Sequence, residues 1–299
     1  MSVDLKGMTT ETRNARTMRL DRMTPLEIVT VMNDEDKKVP EAITPHLAQI
    51  AQIIEWTTNS VRNGGRVYTM GAGTSGRLCV LDAAECPPTF GVSSDLMVGL
   101  IAGGERAFLK AVEGAEDSKD LGREDLRANG LTKMDTVIGL AASGRTPYVI
   151  GGLLYAKELG CHTVAIACNQ GSEIGRIAEL KIEIIVGPEV LTGSTRLKAG
   201  TAEKLVLNMI STATMVGIGK CYQNLMVDVM QTNEKLHARA QNIVMEITGV
   251  SREEAMRFLD VAGGSVKTAL VMILSHTDRK GAEERLEASG GHVWQCIGA

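Results

Sequence analysis

Residues 67–91, VYTMGAGTSGRLCVLDAAECPPTFG, decide the fold. An apolar run ends at Met70, Gly71-x-Gly73-x-x-Gly76 follows at once, and the next residues take helical spacing. Strand, glycine turn and helix N-terminus together present backbone N–H groups and a positive helix end to a phosphate. The same arrangement opens a dinucleotide-binding domain, but two features argue against a nicotinamide cofactor. A dinucleotide domain wants an acid at the end of its second strand, about 20 residues past the glycines. Here that strand ends in Ile101-Ala102-Gly103-Gly104, and Glu105 lies well beyond the spacing. The loop also carries two hydroxyls, Thr74 and Ser75. Hydroxyls beside free N–H groups suit a terminal phosphate dianion better than a pyrophosphate approached by bare backbone.

Working outward, short apolar runs alternate with helix-length segments. Strands are expected at 66–71, 96–102, 135–142, 162–168 and 181–186. Such alternation predicts a doubly wound α/β domain with a five-stranded parallel, flavodoxin-like sheet covered on both faces. Ligands in these sheets bind at the carboxyl ends of the strands, so the loops at 71–76, 102–105, 143–147 and 168–173 are expected to line the site. The second of the phosphate-type loops is Ser143-Gly144-Arg145-Thr146, with Pro147 at a helix start. A third, around Ser194 and Lys198, adds cations. One hydroxyl-rich loop is as well explained by a structural cap; two at neighbouring strand ends are better explained by one shared phosphate.

The flanks are helical. Thr24 and Pro25 open a short helix that stops near 33–36, and Leu47, Ile50, Ile53, Ile54 and Val61 repeat at helical spacing up to Asn63-Gly64-Gly65. The first 22 residues lack periodicity and are expected to form an extended or loosely packed arm. After the sheet, an apolar helix over 205–219 and another over 226–248 precede a small helical subdomain opened by the capping box Ser251-x-x-Glu254. The resulting division is 1–54 for the arm and N-terminal helices, 55–220 for the phosphate-binding domain and 221–299 for the C-terminal helical region.

Composition bounds the partners. A net charge of −4 over 299 residues leaves no electrostatic footprint for nucleic acid or an anionic membrane. Aromatics at 3% provide no stacking platform for bases. The six cysteines show no Cys-x-x-Cys spacing and are expected as free buried thiols in a reducing, cytoplasmic compartment. No metal cluster and no Cys–His pair is evident, so a cofactor-free reaction is expected.

The motifs GAGTSGRL…LDAAECPPTFG, VEGAED, ASGRTPYV and NLMVDV…TNEKLH, in this order and spacing, resemble the bacterial N-acetylmuramic acid 6-phosphate etherases over nearly the whole chain. The resemblance implies a sugar-isomerase (SIS) domain, similar also to one SIS module of the glucokinase regulatory protein, and a homodimer. It implies cleavage of the D-lactyl ether of N-acetylmuramate 6-phosphate: the sugar opens to the aldehyde, the C2 proton is removed, lactate leaves and water adds at C3. Cys79 and Ala84 depart from the family pattern, where Gly and Ser are common.

Elimination needs one group to take the C2 proton and another to protonate the departing oxygen, so two carboxyls of opposite protonation state are required. Glu85, among Ala83, Ala84 and Cys86, is expected to be partly buried with a raised proton affinity, the chain turning extended at Pro87-Pro88. The residues alone leave Glu113, Glu116 and Asp117 open as its partner; the resemblance picks Glu116 and suggests Glu85 as acid and Glu116 as base. Phosphate binding falls to Gly73, Thr74, Ser75, Ser143, Gly144, Arg145, Thr146, Ser194 and Lys198. Asp82 is expected to be structural and His237 a solvent-facing helix residue. Two readings compete: a sugar-phosphate-sensing regulator without catalysis, and an aldose–ketose isomerase, which needs the base near C2 but no acid over C3.

Overall fold

The computed structural model describes residues 7–228 and 234–297. Contacts divide the chain into two compact units, Met1–Ala84 with Asp95–Ser211, and Glu85–Ser94 with Thr212–Ala299. The first unit therefore takes in the N-terminal segment that the sequence set apart at residue 54, and the second begins in the middle of a helix.

The first unit opens with three 3₁₀ turns within residues 9–22, followed by α1 (Pro25–Asp36), α2 (Lys38–Ile43) and α3 (Leu47–Arg62). The expected loose arm is instead pinned: Thr10, Asn14 and Thr17 are buried. The Thr10 amide donates to Asn169 Oδ1 at 3.3 Å, and Asn169 Nδ2 donates to Thr10 Oγ1 and to the Ala142 carbonyl. These are polar, long-range anchors, which leave no periodicity in sequence.

Then β1 (Val67–Gly71), α4 (Gly73–Phe90), β2 (Met97–Ile101), α5 (Glu105–Leu109), α6 (Lys119–Ala128), β3 (Thr136–Leu140), α7 (Pro147–Leu159), β4 (His162–Ala167), α8 (Glu173–Ile177), β5 (Leu180–Glu183) and α9 (Lys198–Gly217) follow. The five strands are parallel in the order 2-1-3-4-5, as the alternating pattern predicted. β1 and β3 are buried along their whole length, which accounts for near-continuous apolar runs rather than an in–out alternation. Tyr68, Met70, Val137, Leu153 and Ile174 meet in the core between this sheet and its helices.

The glycine fingerprint has a packing cause. A Cβ on Gly71 would lie 2.8 Å from the Gly76 amide, and one on Gly76 would lie 2.7 Å from Ile101 Cγ1. Bare backbone at both positions lets the strand end and the helix start approach closely, while Gly73, at φ +54°, makes the left-handed step between them.

α4 does not end at Glu85. It continues through Pro87 and Pro88 to Phe90, correcting the extended path expected there. Two prolines remove the donors that would reach the carbonyls of Ala83 and Ala84, but a φ near −65° is itself helical. Cys86 and Phe90, one turn apart, are both buried, and Gly91 N–H closes on the Pro87 carbonyl at 2.9 Å.

In the second unit, a two-residue-per-strand hairpin, β6 (Cys221–Tyr222) and β7 (Leu225–Met226), stands where a helix was expected to begin at 226. α10 (Glu234–Thr248), α11 (Arg252–Val261), α12 (Val266–Leu274), α13 (Arg279–Ala288) and α14 (Val293–Cys296) complete it, and residues 229–233 of the expected helix lie outside the described residues. The predicted capping box is present: Ser251 accepts from the Glu254 amide while the Glu254 carboxylate accepts from the Ser251 amide. Ala240, Val244, Ala255, Leu270 and Val293 form this unit's own core.

Candidate functional site

Glu116 sits in a 3₁₀ turn, Ala115–Asp117, and is exposed. It lines two cavities of the first unit. One, of about 150 Å³, also holds Gly73, Arg77, Val112 and Glu113. The other, of about 490 Å³, holds Ser143, Arg145, Thr146, Lys119, Met8 and Glu11. The sheet thus brings the acid picked by the family pattern beside both glycine loops, at the carboxyl ends of β1 and β3. Glu113 lies in the smaller cavity and Asp117 in the larger.

The second loop is built for access. Gly144 takes φ +74°, its amide donates to Ala141 O at 2.8 Å, and its carbonyl accepts from Ile174 N. Thr146 caps α7 by position, with no side-chain cap bond, so its hydroxyl is not spent on its own helix. Ser143 Oγ accepts from the Arg145 amide at 3.3 Å.

The first loop is less open. Thr74 is half-buried; Ser75 is buried, and its Oγ donates to Glu203 Oε1 at 2.9 Å. Neither residue lines the two cavities.

The third loop does not offer Lys198 as a free cation. Lys198 is 1% exposed, with Nζ 2.7 Å from Glu35 Oε2. The buried carboxylate of Glu189 accepts from the Lys198 and Ala199 amides at 3.1 and 2.9 Å. The N-terminus of α9 is therefore already satisfied by protein, and Lys198 is corrected from a phosphate ligand to a structural ion pair. Ser194 is half-buried in a turn whose amide bonds to Leu191 O at 3.0 Å.

Glu85 is exposed rather than partly buried. Its apolar neighbours mislead because α4 continues past it: Cys86 takes the buried face of the turn and leaves Glu85 on the open one. Asp82 accepts from Ser211 Oγ at 3.0 Å, and burial raises its proton affinity. His237 is exposed on α10. Residues of the larger cavity that the sequence pattern did not single out are Met8 and Glu11, brought there by the pinned arm, and Lys119. Lys119 at the start of α6 was legible as a cation near VEGAED; the arm residues carried no such signal.

A 2-1-3-4-5 parallel sheet with hydroxyl-bearing glycine loops at its carboxyl edge defines a SIS-domain protein. Residues 123–213 match the SIS domain, residues 49–157 the glucokinase regulatory protein N-terminal SIS domain, and residues 244–280 a UBA-like domain. Among solved structures, phosphoheptose isomerase from Neisseria gonorrhoeae shares the fold, with a TM-score of 0.50 and 19% identity over 64% of this chain and 98% of that one.

Over their full length the relatives are closer. The chain is 58% identical to the N-acetylmuramic acid 6-phosphate etherase of Exiguobacterium sp., covering 98% of this chain and 100% of that protein. To the etherase of Geobacillus sp. it is 56% identical, covering 98% and 99%. The chain belongs to the N-acetylmuramic acid 6-phosphate etherases.

Proposed function

We propose that the protein cleaves the D-lactyl ether of N-acetylmuramate 6-phosphate, giving N-acetylglucosamine 6-phosphate and D-lactate. The observation that carries this is the near-complete alignment with etherases of that name; neither the regulator nor the isomerase reading has comparable support.

The phosphate docks on the loops at 73–76 and 143–146, remote from the reacting carbons, and contributes orientation. An alkoxide is a poor leaving group, so direct displacement is closed. With C1 as the open aldehyde, Glu116 takes the C2 proton and the C3–O bond breaks. Glu85 protonates the departing lactate oxygen, leaving a C2=C3 unsaturated aldehyde. Water then adds at C3, its proton passing to a carboxylate and a proton returning to C2.

The reaction belongs to cell-wall amino-sugar recycling in the cytoplasm. Support for that compartment comes from the cysteines, all six free thiols and five of them buried. No described helix is long and apolar enough to cross a membrane. A homodimer is supported by apolar side chains left exposed on the first unit, Leu26 and Val29 on α1 and Leu109 on α5. The test is incubation of the purified chain with N-acetylmuramate 6-phosphate: equimolar D-lactate and N-acetylglucosamine 6-phosphate are expected, and a ketose phosphate without lactate would replace this reading with isomerisation.

A further inference from the structure

Beneath the first phosphate loop lies a carboxyl that the reaction above does not use. Glu203, on α9, is 1% exposed. Its Oε1 is 2.9 Å from the hydroxyl of Ser75, the third residue of α4. Its other oxygen, Oε2, is buried without a hydrogen-bond partner.

A carboxylate wants several donors, and here one is in reach. The titratable groups facing Glu203 from the packed elements are Cys79 on α4 and Cys168 just past β4. Both are buried thiols that burial holds neutral. The nearby Lys204 acts on Asp82 instead. With no cation against it among the described residues, burial pushes the Glu203 carboxyl up to about 8, and the Ser75 hydrogen bond offsets only part of that.

A serine hydroxyl has one proton to give. We infer that Glu203 is a positioning residue for the phosphate: protonated, it donates to Ser75 Oγ and leaves the Ser75 proton for a phosphate oxygen; ionised, it takes that proton for itself. The inference rests on the reading of residues 73–76 as the phosphate cradle. Its consequence is a cradle that loses one donor as pH rises, although the phosphate, with a second pKa of about 6, is already a dianion.

The experiment is calorimetric titration of N-acetylglucosamine 6-phosphate between pH 7 and pH 9, on the wild type, Glu203→Gln and Ser75→Ala, with kcat at saturating substrate measured alongside. Wild-type affinity is expected to weaken about tenfold over this range, the span expected when one proton controls binding and titrates near 8, while kcat does not follow. Glu203→Gln, whose amide donates to Ser75 at every pH, flattens the affinity profile. Ser75→Ala loses about tenfold or more in affinity at pH 7, the hydrogen bond to a charged group being removed, and is also flat. Ser75→Ala binding as tightly as the wild type would overturn the cradle itself. Ser75→Ala weakened, but with a flat wild-type profile or a Glu203→Gln profile as steep as the wild type's, would leave the cradle standing and overturn the role of Glu203. Should Glu203→Gln fold poorly, Ser75→Ala decides alone: the relay ends at that hydroxyl, so a mutant that still weakens tenfold contradicts it.

Discussion

Glu35 and Glu203 are both buried carboxyls of the first unit, and their neighbours send them in opposite directions. Burial alone would push Glu35 up, but hydrogen bonds from Lys198 and Lys38 outweigh it and bring the group from 4.5 to about 2. A carboxyl whose folded value is depressed contributes stability above its unfolded value and loses it as pH falls through the folded one. The stability due to Glu35 is therefore complete above about pH 4.5 and lost between there and about pH 2. Replacing Lys198 by Met leaves Lys38 and Arg16 on the far oxygen of Glu35, so the expected loss at pH 7 is about 2–4 kcal/mol, below the full cost of an unpaired buried charge. The midpoint and slope of urea unfolding measure it, and an unchanged midpoint would mean that Lys198 is not held as described. In the proposed mechanism, Glu85→Gln and Glu116→Gln each remove a proton carrier. A fall in kcat of about 10²–10⁴-fold is expected, with the affinity for N-acetylglucosamine 6-phosphate retained. Either variant turning over at the wild-type rate means that its carboxyl has been misassigned.

Among the elements, α6 and α7 pack backbone to backbone. A Cβ at Gly122 would fall on the Tyr148 carbonyl, and one at Gly151 on the Lys119 carbonyl. Backbone cannot swing aside as a side chain can, so Gly122→Ala should lower stability by about 1–3 kcal/mol, the usual cost of overpacking, read as a lower thermal midpoint. A rise would show that the helices have room. The same contrast explains what could be read from the residues. The strands were legible because β1 and β3 are buried on both faces and must be apolar throughout. α4 past Glu85 was not, because the proline rule describes the isolated helix, while burial of Cys86 and Phe90 holds this one. The arm was not legible either, since Thr10 and Asn169, which pin it, are 159 residues apart. Of the candidate site, the glycine loops at 73–76 and 143–146 were legible as turns at strand ends from hydroxyl and glycine spacing. Glu203 was not legible because it precedes the apolar stretch expected as a helix from 205, whereas α9 starts at Lys198, and the burial of Lys198 was not legible because its acid partner stands 163 residues away.

At the scale of the whole molecule, the chain combines a SIS unit that presents hydroxyls and amides at the carboxyl edge of its sheet with a helical unit that has its own core. The fold alone is shared with a phosphoheptose isomerase, so the fold does not choose between the two reactions; the proposed elimination needs an acid as well as a base. The elimination route has an isotopic consequence that direct displacement at the lactyl carbon lacks. The C3–O bond breaks, the ether oxygen leaves with lactate, and the new C3 hydroxyl comes from water. The measurement is turnover of N-acetylmuramate 6-phosphate in ¹⁸O-water, with both products weighed by mass spectrometry after correction for exchange at the aldehyde. One label is expected at C3 of N-acetylglucosamine 6-phosphate and none in D-lactate; label in the lactate, with the C3 oxygen unlabelled, would instead mean displacement at the lactyl carbon.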